Sequence, residues 1–391
     1  MILFVGVIIL AAIVVQGVLG RFKIPALVGF LMLGFLARLL NDHTALLEPA
    51  GIRALDGLGV AGVTVLLFRV GLKSNARALV GQLRRASPIW LGNVFASAAA
   101  GYLAAAWLLG LNALGSAVVA IALTATSVGI SAEIWNRAGK LDSPAGELFV
   151  DVAELDDISG VVAVALLFTV VAGPGSAGHD LFGAIAWPAL VVLGKVAGFA
   201  ALMFIFAHWL EPSVTRFFNN IGKPPHPMLL ITATGLMMAG TAETLGLSVA
   251  IGAFFAGLAY SRDPGAIQYE KDFEVIYQLF VPFFFIHVGM QVAPEALGSA
   301  IVPGSILLAA GVLGKAAGNL VPGAMIADKP EAVLLTVSML PRAEIALLVT
   351  QQAEAMNYIS GEILSAMVLV SAATCLLAPW ALEYLLRQKN K

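Results

Sequence analysis

The chain has 391 residues, of which 60% are hydrophobic and only 12% charged; a soluble domain has roughly a quarter charged, so this composition excludes a water-soluble globule. Lys and Arg number 22 against 24 Asp and Glu, which leaves no net field for a nucleic-acid partner. At about 20 apolar residues per bilayer crossing, the apolar stretches supply on the order of thirteen helices.

In chain order, clusters of Pro, Gly and charge separate spans at 2–19, 25–40, 54–72, 88–110, 114–136, 145–172, 182–209, 226–245, 247–261, 275–291, 298–326, 331–353 and 361–386. The first span lacks a basic leader and a small-residue cleavage site, so it reads as a retained helix. The pair divided near Gly246 is separated by the weakest signal. The expected fold is an all-α polytopic membrane protein of about 13 transmembrane helices. Its single cysteine, Cys375, lies in an apolar run and reads as a small buried hydrophobe.

Loop charges orient the chain. One set of loops holds Arg21, Lys23, Arg69, Lys73, Arg77, Arg84, Arg85, Arg137, Lys140, Arg216, Lys223, Arg262, Lys271, Lys329, Arg387, Lys389 and Lys391, whereas the other holds Arg38 and Arg53. The positive-inside rule then puts the C-terminus in the cytoplasm and, with an odd number of spans, the N-terminus outside. Six spans on either side of the seventh suggest two inverted-topology six-helix repeats, a common transporter plan. The fifth and twelfth spans carry helix-weakening residues at mid-length, Thr124-Ala-Thr126-Ser127-Val-Gly129 and Ser338-Met-Leu-Pro341-Arg342-Ala-Glu344. Crossed discontinuous helices are expected there.

Ionisable groups at bilayer depth are costly and mark function. The sixth span reads Asp151-Val-Ala-Glu154-Leu-Asp156-Asp157, four carboxylates in seven residues. Successive residues of a helix point about 100° apart, so Asp156 and Asp157 need different partners, while Glu154 and Asp157 share a face. Lys315, central in the eleventh span, is the natural counter-charge. A carboxylate beside a water-filled cavity takes a proton or a dehydrated monovalent cation in turn, and such competition is an exchange mechanism. Thr126 and Ser127 offer hydroxyl and freed carbonyl oxygens to a hard cation such as Na⁺; the alternative is back-bonding to their own helix. Arg342 and Glu344 read either as braces of the broken helix or as direct ion contacts.

Two other polar residues stand in apolar runs. Lys195 lies in Leu-Gly-Lys-Val-Ala-Gly, much like Lys315 in Leu-Gly-Lys-Ala-Ala-Gly; it reads as a paired or snorkelling side chain. His287 reads as a hydrogen-bonded core histidine or a pH sensor. The Gly194/Gly198 and Gly314/Gly318 pairs have the spacing of close helix contacts. No His-Glu-x-x-His or Gly-x-Ser-x-Gly pattern supports an enzyme, and no cofactor is implied.

Taken in order, Phe22 to Gly29, Leu66-Leu-Phe-Arg-Val-Gly-Leu72, Thr124 to Ile130, Asp156-Asp157, Pro282-Phe-Phe-Phe, Gly314-Lys315 and Pro341-Arg342-Ala-Glu344 resemble the second family of monovalent cation:proton antiporters, and within it the NapA-like sodium/proton exchangers. The resemblance implies Na⁺ (or Li⁺)/H⁺ exchange by a homodimer in the cell inner membrane. It implies a dimerisation scaffold from 1–80 and 212–292, a core from 86–172 and 297–388, and a linker helix at 182–211. It further implies that Asp157 carries the ion and the proton, and that Asp156 pairs with Lys315 until the ion binds. An Asp-Asp pair sides with the electrogenic members. Glu154 stands where relatives have an apolar residue, and the chain stops without the nucleotide-sensing domain of potassium-efflux relatives. Alternatives are K⁺/H⁺ exchange and, from another class, an ion channel.

Overall fold

The computed structural model describes residues 2–22, 24–44, 49–73, 76–172, 181–210, 213–214, 216–217, 227–245, 247, 249–261, 270–326 and 328–388. Gly246 and the loop cations Lys23, Lys223, Arg262, Lys389 and Lys391 lie outside the described residues, as do the side chains of Arg77 and Lys271.

The described chain is helical throughout its regular structure. In order the helices are α1 (Ile2–Arg21), α2 (Ala26–Thr44), α3 (Pro49–Lys73), α4 (Ala76–Leu103), α5 (Ala113–Thr124), α6 (Val128–Arg137), α7 (Pro144–Ala172), α8 (Leu181–Ile205), α9 (Pro227–Thr244), α10 (Val249–Tyr260), α11 (Glu270–Gln291), α12 (Pro294–Ile326), α13 (Lys329–Ser338), α14 (Glu344–Ala355) and α15 (Gly361–Gln388). Each expected span coincides with one of these helices or with a broken pair of them. Among the described residues, seven helical stretches are long and apolar enough to cross a membrane. The clearest departure is α4, which starts at Ala76, well before the expected 88. The intervening Ala, Leu, Gln and Arg are strong helix formers, and they carry the helix through Pro88.

Two compact units divide the chain: residues 1–57, 79–160 and 282–391 form one, and 58–78 and 161–281 the other. In the first unit α12 packs along α15, α5 along α14, and α6 against α15 and α13. Its apolar core includes Ile89, Trp135, Phe149, Val152, Met339 and Leu382, with Trp135 stacked on Phe149 at 6.2 Å. The outward side of α12 exposes Val302, Leu313, Val321 and Met325. Such a continuous apolar exterior suits lipid rather than water.

In the second unit Phe68 packs between Tyr260 and Phe273. Arg69 pairs with Glu274 and lies 4.2 Å above the Tyr277 ring. Lys195 is exposed on α8.

Close helix approach was expected at two glycine pairs. At α12 it is present: a Cβ on Gly318 would sit 2.4 Å from the Gly92 carbonyl oxygen, and one on Gly314 2.8 Å from Ser97 Cα. At Gly194 and Gly198 a Cβ would meet nothing within 4 Å, so among the described residues these two do not mediate a contact. Gly318→Ala should therefore force α4 and α12 apart and cost roughly 1–3 kcal/mol by overpacking. Gly194→Ala should be neutral or stabilising by up to about 1 kcal/mol, since it removes only helix-interior glycine. Thermal denaturation of the two purified variants checks this; equal midpoints would contradict the close approach.

Candidate functional site

Both expected helix breaks are present in the first unit. α5 ends at Thr124 because Ala125 turns extended (φ −61°, ψ 137°), and Ser127 (φ −88°, ψ 97°) precedes α6. α13 ends at Ser338; Pro341 has no N–H to continue it and disfavours helical geometry at Leu340. After Ala343 (φ −142°, ψ −93°), α14 starts with Glu344 in its first turn.

The two breaks lie against one another. Ser127 N donates to the Pro341 carbonyl at 2.7 Å, Thr126 Oγ1 to the Met339 carbonyl at 3.4 Å, and Ser131 Oγ to the Ser338 carbonyl at 2.7 Å. Trp135 Nε1 donates to Ser338 Oγ at 2.8 Å, fixing α6 to α13.

Breaking two helices at one level frees carbonyls at two C-terminal ends and N–H groups at two N-terminal ends. Cations meet the carbonyls at the end of α5. Lys315 Nζ, on α12 and fully buried, donates to the Thr124 carbonyl at 2.5 Å and to Thr126 Oγ1 at 2.6 Å. Arg342 Nη1 donates to the Leu123 carbonyl and Nη2 to the Gly311 carbonyl at 2.9 Å. The Arg342 carbonyl in turn accepts from Ser371 Oγ at 2.6 Å and from Cys375 Sγ at 3.3 Å. Glu344 sits at the N-terminus of α14, where the helix dipole favours an anion. The Arg342 guanidinium is thus spent on backbone carbonyls.

α7 brings the acidic pair to the crossing, and the 100° step between neighbours sends the two carboxylates different ways. Asp156 is buried. Its Oδ1 accepts from Asn93 Nδ2 at 2.8 Å, and its Oδ2 has no hydrogen bond but faces Lys315 Nζ at 3.6 Å. Of the two lysines in similar local sequence, Lys315 is the one beside the aspartates, whereas Lys195 belongs to the other unit.

Asp157 is only partly buried and has no hydrogen-bond or ion-pair partner among the described residues. It lies within electrostatic reach of Asp156, Glu344, Glu154 and Lys315. Three residues along the same face, a Cβ added to Gly160 would lie 3.5 Å from Ile345 Cδ1 and 4.0 Å from Ala125 Cβ, so this face of α7 passes beside both breaks. Glu154 is half-buried on that face. Ser127 Oγ is buried without a hydrogen bond of ordinary geometry.

Asp151, counted with the acidic cluster from the sequence, keeps other company: its charged neighbours are Glu147 and Arg85. At 1.5 Å per residue it lies about one and a half turns from Asp156. His287 is outside the crossing as well; Nδ1 lies 3.2 Å from Asp56 Oδ1 and Nε2 3.0 Å from Gln291 Nε2.

Sequence reasoning missed Asn93 and Asn319, both fully buried. Asn319 Nδ2 donates to Asn93 Oδ1 at 3.0 Å and to the Lys315 carbonyl at 2.8 Å. Amides inside apolar helices, one of them four residues after the buried lysine, were the available signal.

The model of the transmembrane sodium/hydrogen exchanger family matches residues 6–388. The chain belongs to that family. The exchanger is 26% identical to the Na⁺/H⁺ antiporter of Enterococcus hirae, over 97% of each chain. It is 25% identical to the Na⁺/H⁺-K⁺ antiporter GerN of Bacillus cereus, covering 96% of this chain and 91% of that one. Its fold matches the sodium proton antiporter MjNhaP1 from Methanocaldococcus jannaschii with a TM-score of 0.73 at 14% identity, covering 99% and 98% of the two chains. It is thus a multi-pass membrane protein built on a transporter fold.

Proposed function

We infer that the exchanger is a secondary active antiporter moving Na⁺ (or Li⁺) out of the cytoplasm against external H⁺ by alternating access. One observation carries this reading. At the crossing of two broken helices, a partly accessible carboxylate, Asp157, makes no ion pair among the described residues and stands beside an already paired Asp156 and Lys315. Among the described residues, Asp156, Asp157 and Glu344 share the site with Lys315 and Arg342, and Arg342 is committed to carbonyl oxygens. Excess acid at low dielectric is relieved by binding a proton or a metal cation. Because the same oxygens serve both, loading one expels the other.

In this scheme Asp157 is the alternating carrier and Asp156 a second ligand that leaves Lys315 when Na⁺ arrives. Thr126 and Ser127 supply further oxygens, and Glu154 adds acidity on the Asp157 face. Arg342 and Glu344 support the break. Two protons entering for one Na⁺ leaving would transfer one net charge, worth about 2.3 kcal/mol per 100 mV of membrane potential.

The functional division proposed is a scaffold (1–80 and 212–292), a moving core (86–172 and 297–388) and a linker helix (182–211). The contact-defined units are drawn differently, residues 1–57 grouping with the core segments. A homodimer of inverted repeats in the inner membrane, with N-terminus outside and C-terminus cytoplasmic, completes the reading. The loop-charge asymmetry supports that orientation.

The test is dissipation of an imposed pH gradient in proteoliposomes on adding Na⁺, Li⁺ or K⁺, with and without an imposed potential. Na⁺ and Li⁺ should collapse the gradient in a voltage-dependent manner. A response to K⁺ equal to that to Na⁺ would favour K⁺/H⁺ exchange, the reading that similarity to GerN keeps open. Currents without countertransport would indicate a channel.

A further inference from the structure

Asp156 is held in an asymmetric way. One oxygen, Oδ1, accepts from Asn93 Nδ2 at 2.8 Å. The other, Oδ2, faces Lys315 at 3.6 Å, beyond hydrogen-bond length. The lysine meanwhile makes two shorter contacts, 2.5 and 2.6 Å, with Thr124 and Thr126. An ammonium group has three donors, and the third points to a carboxylate that does not close on it.

The amide chain behind Asp156 accounts for this. The Lys315 carbonyl accepts from Asn319 Nδ2, which also donates to Asn93 Oδ1. Turning the Asn319 amide over would set its oxygen against two acceptors, so its orientation is fixed by the α12 backbone. That fixes Asn93 with its oxygen toward Asn319 and its NH₂ toward Asp156. The glycine contact between Gly92 and Gly318 brings α4 and α12 close enough for these short side chains to meet. Asn93 and Asn319 are both 0% exposed, so bulk solvent does not reach these bonds.

We propose that Asn93, backed by Asn319, is a positioning residue of the ion site: it tethers one oxygen of Asp156 and thereby keeps the other from closing on Lys315, ready for the cation. The inference rests on reading Asp156 as an ion ligand. Without the tether the carboxylate turns and pairs with Lys315 through both oxygens, and Na⁺ then has to break a stronger contact.

The test is the apparent Na⁺ affinity of purified protein, read from the rise in thermal midpoint with NaCl against choline chloride, together with KM and maximal exchange rate in proteoliposomes. Asn93→Ala should weaken apparent Na⁺ affinity about tenfold, the size expected for losing a hydrogen bond to a charged group, while the maximal rate changes little. Asn319→Ala, which keeps Asn93 but frees its amide, should shift affinity in the same direction by less, and serves if Asn93→Ala does not fold. In an Asp156→Asn background, Asn93→Ala should add no further shift, because the group it acts through is gone. Wild-type affinity in both amide variants, or additive shifts in the double variant, would overturn the proposal. If Asp156→Asn alone leaves Na⁺ affinity unchanged, the reading of Asp156 as a ligand fails instead.

Discussion

Replacing Asp157 with Asn is expected to reduce Na⁺-driven dissipation of a pH gradient to the level of protein-free liposomes, while leaving the thermal midpoint unchanged or raised. The two halves of this result have separate causes. Asn keeps the shape of the side chain but cannot ionise, so it neither releases a proton nor neutralises a cation. The fold does not depend on the charge, because among the described residues Asp157 makes no hydrogen bond or ion pair. An unpaired charge at this depth costs stability, and its removal is neutral or favourable. Loss of activity together with loss of folding would instead make Asp157 a structural residue, and retained exchange would remove it from the carrier role.

Lys315→Ala should give the opposite balance. The lysine is fully buried, donates to the Thr124 carbonyl and Thr126 Oγ1, and stands 3.6 Å from Asp156 Oδ2 as its counter-charge. Removing it leaves a free carbonyl at the C-terminal end of α5 and an uncompensated carboxylate, a loss of about 3–5 kcal/mol for a broken buried pair. The thermal midpoint should fall steeply, and whatever exchange survives should respond differently to imposed voltage, since a fixed charge has left the site. Lys315→Met, which keeps the stem, separates packing from charge: its midpoint should also fall. Lys195→Ala should change neither property, because Lys195 is exposed on α8. Equal effects of the two lysine substitutions would mean that the charge beside Asp156 is not what matters.

Much of the site was legible before the fold was known, for local reasons. Pro341 and the Thr-Ala-Thr-Ser stretch weaken helices wherever they occur, so the breaks at 125–127 and 339–343 follow from residue chemistry. The helical repeat alone requires adjacent aspartates to diverge, and Asp156 does turn to α4 and α12 while Asp157 does not. What local reasoning overcounted was the acidic cluster: Asp151 shares the helix but has Glu147 and Arg85 for neighbours. It also gave the Gly194/Gly198 pair the same standing as Gly314/Gly318, although only the latter meets another backbone.

The sequence by itself determined the solvent, the helices, their interruptions and the divergence of the two aspartates, because each depends on composition or on residues within a turn or two of one another. Tertiary structure alone decided that Arg342 is committed to Leu123 and Gly311 and that Asn93 and Asn319 join the site, and it set Lys315, the counter-charge expected from the sequence, 3.6 Å from Asp156. Those pairings link residues tens to hundreds of positions apart. Two near-identical Leu-Gly-Lys segments carry no mark of the partner that burial and helix packing assign to one of them.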